Sequence, residues 1–310
     1  MCRLFVIALR KTQSCGIRYG GFIMKWRGRE GSSNIEDGRR TSSGGGGLRP
    51  TGEFRMGGLG LIIVAVLYLI MGGNPLDMIT GGGPSVSSNY EPTAADEEKM
   101  EFLSVVLKDT EDVWKKIFED NGLTYEEPVM HIFHGAVKSA CGVQSAQAGP
   151  FYCPGDRKLY MDLDFFDELS KNLGAQGDFA IAYVVAHEVG HHVQNMLGIM
   201  RKQQSKRQTL SETEYNKISV AIELQADYLA GVFARWEDEA GYLEKGDFME
   251  AINATSAVGD DTLQKKYQGA VVPDSFTHGT AEQRERWFKR GYEAGDLSQG
   301  DTFSVPYDEL

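Results

Sequence analysis

The chain has 310 residues, of which 41% are hydrophobic and 25% are charged, as in an ordinary globular protein of one or two domains. The charge is unevenly distributed. Residues 1–55 carry 11 Lys or Arg and 4 Asp or Glu, whereas residues 77–310 carry 21 and 40. Because the acidic body would repel phosphate groups, this composition argues against a nucleic-acid partner.

An uncharged stretch of 21 residues, 56–76, separates the basic part from the acidic part. Its length predicts one transmembrane helix, preceded by a disordered basic tail at residues 1–55 and followed by a linker at 77–95. The positive-inside rule places the amino end in the cytoplasm and the acidic body outside it. A buried core helix and a cleaved signal peptide are the alternatives, but an uncleaved signal-anchor fits the charged flanks and the long leader better.

The acidic part, residues 96–310, is predicted to be a predominantly helical α+β domain with a small sheet. Hydrophobic periodicity and turn residues predict helices at 97–121, 178–197, 212–236, 248–258 and 280–294, a strand at 129–137 and a hairpin at 149–163.

Four cysteines lie on the two sides of the apolar stretch. Cys2 and Cys15 precede it and are expected to face a reducing cytoplasm. Cys141 and Cys153 follow it, and an oxidising compartment would allow them to form a disulfide that closes a short loop. Two free thiols are equally compatible with the spacing.

Residues 187–191 read HEVGH, which matches the zinc-binding motif H-E-x-x-H. On a helix, His187 and His191 lie on one face, one turn apart, and two imidazoles so placed hold one zinc ion at about 2.0–2.1 Å. Glu188 lies about 60° further round, where it reaches a metal-coordinated water and serves as the general base. Two histidines on a solvated helix face are the alternative, and a solvated position is the prediction for His192.

A second motif, ELQAD at residues 223–227, lies in the apolar helix predicted at 212–236. Glu223 and Asp227 share one face of this helix, and a carboxylate in an apolar helix is costly unless it is paired or binds a metal. A site with two His and one Glu accounts for the pair: Glu223 is the third zinc ligand, and Asp227 accepts the free N–H of a ligand histidine. The alternative is a buried salt bridge to a Lys or Arg elsewhere.

With GPFYCP before these motifs and VPDSFTHGTAEQR after them, the chain closely resembles the neutral zinc metallopeptidase family of bacterial membrane proteins. The resemblance covers roughly residues 25–310 and implies a zincin-like domain in which an edge strand of the small sheet borders the zinc cleft. It also implies one zinc ion per chain, with His187, His191 and Glu223 as ligands and Glu188 as the catalytic residue.

Members of the family begin near the motif MKWRGRE, here Met24–Glu30. The resemblance therefore leaves Met1 and Met24 open as the natural first residue.

His278, just before the predicted helix 280–294, is the best placed of the remaining histidines. In several zincins a histidine downstream of the metal motif stabilises the oxyanion of the transition state, so His278 is a candidate for that role. Capping or orienting the last helix is an equally good interpretation. His131 and His134, in the strand-like VMHIFHGAV, are predicted to be structural.

The sequence thus favours a membrane-anchored zinc metallopeptidase that hydrolyses a peptide or protein substrate. It is expected in the bacterial inner membrane, with its catalytic domain on the periplasmic side. A zincin-like protein without turnover, acting as a binding or scaffold module, is the second hypothesis. A structural membrane protein with a chance HExxH is the third. The presence of every ligand and of the base favours the first.

Overall fold

The computed structural model describes residues 24–40, 90–145 and 149–310. The predicted transmembrane stretch at 56–76 and residues 1–23 lie outside the described residues. Within the described ranges, no helix is both long enough and apolar enough to cross a membrane. The predicted α+β class is confirmed for this part of the chain, which is mainly helical with few, short strands.

Six strands in the described part form a four-stranded sheet and a separate hairpin. They are β1 (Ile35–Asp37), β2 (Val129–Phe133), β3 (Ala136–Ser139), β4 (Gly142–Ser145), β5 (Phe151–Cys153) and β6 (Lys158–Asp162). The sheet has the order β1–β2–β6–β5, with β1, β2 and β6 parallel and β5 antiparallel to β6. β3 and β4 pair as the hairpin.

Seven α-helices of six residues or more occur in the described part. They are α1 (Ala94–Asp120), α2 (Asp178–Met196), α3 (Ile199–Gln204), α4 (Glu212–Glu239), α5 (Asp247–Ala257), α6 (Asp260–Gln268) and α7 (Ala281–Ala294). Short helical turns lie at Phe165–Asp167, Glu168–Asn172, Ser205–Gln208, Pro273–Ser275 and Tyr307–Glu309. α1, α4 and α7 each begin at a capping box, formed by Thr93, Ser211 and Thr280. The five predicted helices therefore exist, with ends shifted by up to three residues.

The strand predicted at 129–137 is two strands. β2 ends at Phe133 because Gly135 adopts a φ of 82°, which only glycine takes readily, and the chain turns there into β3. The predicted hairpin at 149–163 is confirmed as the antiparallel pair of β5 and β6.

Residues 24–40 belong to the folded domain, so the prediction of a disordered tail over residues 1–55 is wrong for this segment. Met24 and Trp26 are buried in the main hydrophobic core, and the Trp26 ring packs edge-on against Phe102 with centroids 5.4 Å apart. The segment then supplies β1, which pairs with β2. Its few apolar residues are scattered among Gly, Ser and charged residues and show no periodicity that would predict an element. They are buried only because other parts of the domain form the core around them.

The two ends of the undescribed stretch 41–89 meet on one side of the domain. Arg40 lies 3.8 Å from Glu91, and the buried Arg39 donates to Glu97 at 2.9 Å. The domain therefore does not start at residue 96 as predicted, since it includes residues 24–40 and α1 already begins within the predicted linker.

Helices α2, α4 and α7 pack closely at glycines in the centre of the domain. An added Cβ on Gly231 of α4 would lie 2.0 Å from a carbonyl oxygen of α7, and one on Gly291 of α7 would lie 1.9 Å from a carbonyl oxygen of α4. Gly190, inside the HEVGH motif of α2, also lies close to α4: an added Cβ there would be 3.0 Å from the Ala226 carbonyl oxygen. These contacts bring polar side chains of the three helices within hydrogen-bonding distance.

Cys141 and Cys153 are joined by a disulfide, with Cα atoms 5.8 Å apart. The bond attaches the turn between β3 and β4 to the end of β5. It therefore holds the hairpin beside β5, the edge strand that borders the site described next.

Candidate metal centre

Helices α2 and α4 bring the two motif histidines and Glu223 together. The Nε2 atoms of His187 and His191 lie 3.2 Å and 3.6 Å from the Glu223 carboxylate oxygens. One ligand atom from each residue lies within 4.8 Å of the others. Two imidazole nitrogens and one carboxylate oxygen are the donor set of many catalytic zinc sites, so these residues fit one zinc ion.

The second ring nitrogen of each candidate ligand also has a partner. His187 Nδ1 lies 2.8 Å from Asp227 Oδ1, and His191 Nδ1 lies 2.9 Å from Gln194 Oε1. Because both partners are acceptors, each Nδ1 carries the proton, and the Nε2 lone pair is left for a metal. The Gln194 amide is itself held, since its Nε2 donates to the Ile222 carbonyl at 2.7 Å.

Asp227 is fully buried and accepts hydrogen bonds from three side chains. It accepts from Tyr183 Oη at 2.5 Å and from His187, and Arg284 of α7 binds both of its oxygens, at 2.8 and 2.9 Å. Burial alone would raise the pKa of Asp227, but Arg284 and His187 outweigh it and hold the pKa below its ordinary value. Asp227 therefore does both things that the sequence offered as alternatives: it accepts from a candidate metal ligand and it forms a buried salt bridge with an Arg.

Glu223 lies among the imidazole rings of three histidines, His187, His191 and His278. Burial would raise its pKa, yet His191 and His278 hold that pKa well below the ordinary value. A carboxylate kept ionised beside two imidazole nitrogens is suited to bind a cation.

Glu188 is partly buried next to the candidate ligands and beside the sheet. The backbone N–H of Tyr152, in the edge strand β5, is close enough to this carboxylate to lower its pKa. Burial raises the pKa of Glu188 above its ordinary value. A raised pKa makes a carboxylate a better proton acceptor, as a general base needs to be.

His278 lies close enough to Glu223 for their charges to shift each other's pKa. Its Nδ1 is 3.1 Å from Asp260 Oδ1, and its backbone N–H donates to Asp260 Oδ2 at 2.7 Å. Burial lowers the pKa of His278, but the carboxylates of Asp260 and Glu223 outweigh it and raise the pKa. Thr280 caps α7, so the capping interpretation of His278 does not hold.

The prediction for His192 is wrong. Its side chain is fully buried, with Nδ1 3.0 Å from the Tyr152 hydroxyl and Nε2 2.7 Å from the Glu126 carbonyl oxygen. The face of α2 opposite the metal ligands is covered by the sheet and by the segment before β2, which a helical wheel does not show. His131 lies 3.1 Å from Glu36, a contact typical of a structural histidine.

Sequence reasoning missed three residues of the site. Tyr183 precedes His187 by one turn on the same face, which is a usable signal. Gln194 follows His191 by three residues and offers a similar one. Arg284 gives no local signal, because it comes 57 positions after its partner and on another helix.

A protein-family model described as "Putative neutral zinc metallopeptidase" matches residues 24–303. The chain belongs to this family. The matched region begins at Met24 and so includes the segment 24–40 that packs in the domain. Membership supports zinc as the metal of the centre formed by His187, His191 and Glu223.

The chain is also similar to proteins from two bacterial genera. It is 46% identical over 285 residues to the uncharacterized protein YpfJ of Escherichia coli K12, and the aligned region covers 90% of this chain and 99% of that protein. It is 38% identical over 249 residues to the uncharacterized protein Rv2575 of Mycobacterium tuberculosis H37Rv, where the aligned region covers 76% of this chain and 82% of that protein. No solved structure is significantly similar to the chain.

Proposed function

We propose that this protein is a zinc-dependent metallopeptidase that hydrolyses peptide bonds in a peptide or protein substrate. One zinc ion per chain is held by His187, His191 and Glu223. The observation that carries the proposal is that these three donors converge, with their outer hydrogen-bond partners in place, while Glu188 lies beside them.

When bound, zinc supplies a Lewis acid that polarises a carbonyl group and lowers the pKa of a coordinated water to about 7. Glu188 takes the proton from the attacking water and passes it to the leaving amine. Asp227 and Gln194 keep both imidazoles in the tautomer that presents Nε2.

The substrate is proposed to lie along β5. This strand is the last of the four-stranded sheet, so one of its edges is available to pair with an extended peptide. Because Glu188 contacts the backbone of β5, a peptide paired there would pass beside the general base.

The test is peptide-library cleavage by the full chain, compared with Glu188→Gln. We expect turnover to fall about 10²–10⁴-fold, with the zinc ion of the His187–His191–Glu223 centre still bound, because the amide cannot accept the proton. Glu119→Gln, at an exposed position on α1, is the matched control. A fragment starting near residue 96 is unsuitable, because it lacks β1 and the buried Met24 and Trp26.

A zincin-like scaffold without turnover is the second candidate, because a domain can keep its metal site and lose catalysis. Zinc binding that depends on His187, together with no cleavage by the wild-type chain, would favour it. A chain that holds no zinc would refute both functions.

We also propose attachment to the bacterial inner membrane through residues 56–76, with the catalytic domain on the periplasmic side. The uncharged, apolar composition of this stretch and the Cys141–Cys153 disulfide, which suits an oxidising compartment, support the proposal. Since residues 24–40 pack in the same domain, they must lie on the same side of the membrane as that domain. The attachment that we propose therefore makes no net crossing between residues 40 and 90, unlike the single-pass helix predicted from the sequence, and residues 24–40 lie on the periplasmic side with the rest of the domain.

A further inference from the structure

A second group of possible metal ligands lies where two parallel strands of the sheet end. β2 and β6 are neighbours, with Phe133 paired to Asp162. His134 directly follows β2, and Asp164 comes two residues after Asp162. Because the carboxyl ends of parallel strands meet at the same edge, the topology itself brings these three side chains together.

The three side chains offer one imidazole nitrogen and two carboxylate oxygens within 4.8 Å of one another. His134 Nδ1 lies 3.2 Å from Asp164 Oδ2, and yet this nitrogen is buried without a hydrogen-bond partner. The two atoms are close enough for an ion pair, but their geometry is not that of a hydrogen bond, so the nitrogen keeps a position for another partner.

Asp162 supplies the independent observation. Its side chain is 0% exposed, and its Oδ2 has no hydrogen-bond partner. Its other oxygen accepts from the Asp164 backbone N–H at 3.0 Å. In the described part of the chain, no Lys or Arg forms an ion pair with it, and Lys99 donates instead to the Leu163 carbonyl at 3.2 Å. A buried carboxylate oxygen without a donor is costly, and a cation would remove that cost.

Access to solvent agrees with this interpretation. Asp164 is 63% exposed and His134 32% exposed, which leaves an entry path and room for water ligands. The Tyr90 ring stacks on the imidazole at 4.1 Å and holds its plane.

We infer that His134, Asp162 and Asp164 form a second divalent-cation site, separate from the His187–His191–Glu223 centre. One imidazole and two carboxylates suit a first-row divalent ion such as Zn²⁺ or Mn²⁺. The ion ties the ends of β2 and β6 to the chain that follows β6.

The test is metal analysis of the full chain after equilibration with Zn²⁺ and, separately, with Mn²⁺. We expect the wild type to hold two Zn²⁺ ions and Asp164→Asn to hold one. Asp164 is exposed, so this variant keeps its fold; Asp162→Asn should lose the same ion. Asp167→Asn, a half-exposed carboxylate nearby, is the matched control and should keep both ions.

His187→Ala separates this inference from the proposed function. It should lose the first ion and keep the second, whereas Asp164→Asn should keep the first ion. A wild-type chain that holds one ion or none, or a second ion that survives in both Asp164→Asn and His134→Gln, would overturn the second site.

Discussion

At the scale of single residues, Asp227 joins the candidate metal centre to the core of the domain. It orients His187 and neutralises the buried Arg284, so one carboxylate meets two requirements. Removing its charge would leave Arg284 uncompensated in a place that water does not reach, which is costly. The position of a metal ligand in α2 therefore depends on a residue of α7.

We expect Asp227→Asn to weaken zinc binding about 10–100-fold, since the amide accepts more weakly from His187 Nδ1. Competition against a chelator measures the affinity. Asp238→Asn, at an exposed position on the same helix, should bind zinc as the wild type does. Equal affinities in the two variants would show that His187 does not depend on Asp227.

We expect His278→Ala to lower kcat roughly 10²-fold while zinc content and folding stay unchanged. Asp260 holds the imidazole through Nδ1, and the raised pKa of His278 favours the protonated ring, whose Nε2–H can donate to a developing oxyanion. Asp261→Asn, which changes the neighbouring carboxylate and leaves this contact intact, is the control. Full activity in His278→Ala, or loss of the fold, would return the residue to a structural role.

At the scale of elements, the segment before the apolar stretch is the largest departure from the sequence prediction. β1 has three residues, too few for a recognisable alternation, and lies among Gly, Ser and charged side chains. Its place in the sheet depends on β2 and on the burial of Met24 and Trp26 in a core that other elements form.

Trp26→Ala should lower the free energy of unfolding by about 3–5 kcal/mol, because it leaves a large cavity against Phe102. Urea denaturation of the full chain gives this value. Leu123→Ala, at a position 44% exposed, should change stability by about 0.5 kcal/mol or less. If Trp26→Ala were as mild as this control, the segment would not be part of the stable core.

At the scale of the whole molecule, the fold restricts how the chain meets a membrane. Residues 24–40, 90–145 and 149–310 form one domain, and Arg40 and Glu91 lie 3.8 Å apart where the undescribed stretch 41–89 begins and ends. An odd number of membrane crossings between them would separate β1 from β2, and so is incompatible with this domain.

Thiol labelling in intact cells tests this restriction. In a Cys2→Ser, Cys15→Ser background, single cysteines are introduced as Lys25→Cys or Leu123→Cys, both at exposed positions. We expect a membrane-impermeant reagent to label the two sites equally in intact cells. Labelling of permeabilised cells is the control for the reactivity of each cysteine. Protection of one site alone would mean that the two segments lie on opposite sides.

The features that depend on short-range geometry and on the cost of burial can be predicted from the sequence. The 3.6-residue period places His187 and His191 on one face of a helix, whatever packs around them. The cost of placing carboxylates inside an apolar helix singles out Glu223 and Asp227. These two arguments are sufficient to predict the donors that α2 and α4 bring together.

Only the tertiary structure decided which distant groups meet. Arg284 reaches Asp227 because glycines let α4 and α7 approach closely, and the sheet and the segment before β2 bury His192 on the face opposite the metal ligands. Asp162 and His134 become neighbours only through the pairing of β2 with β6. The reason is physical: periodicity and propensity act over one or two helical turns, whereas the partner of a buried charge is set by which surfaces exclude water together.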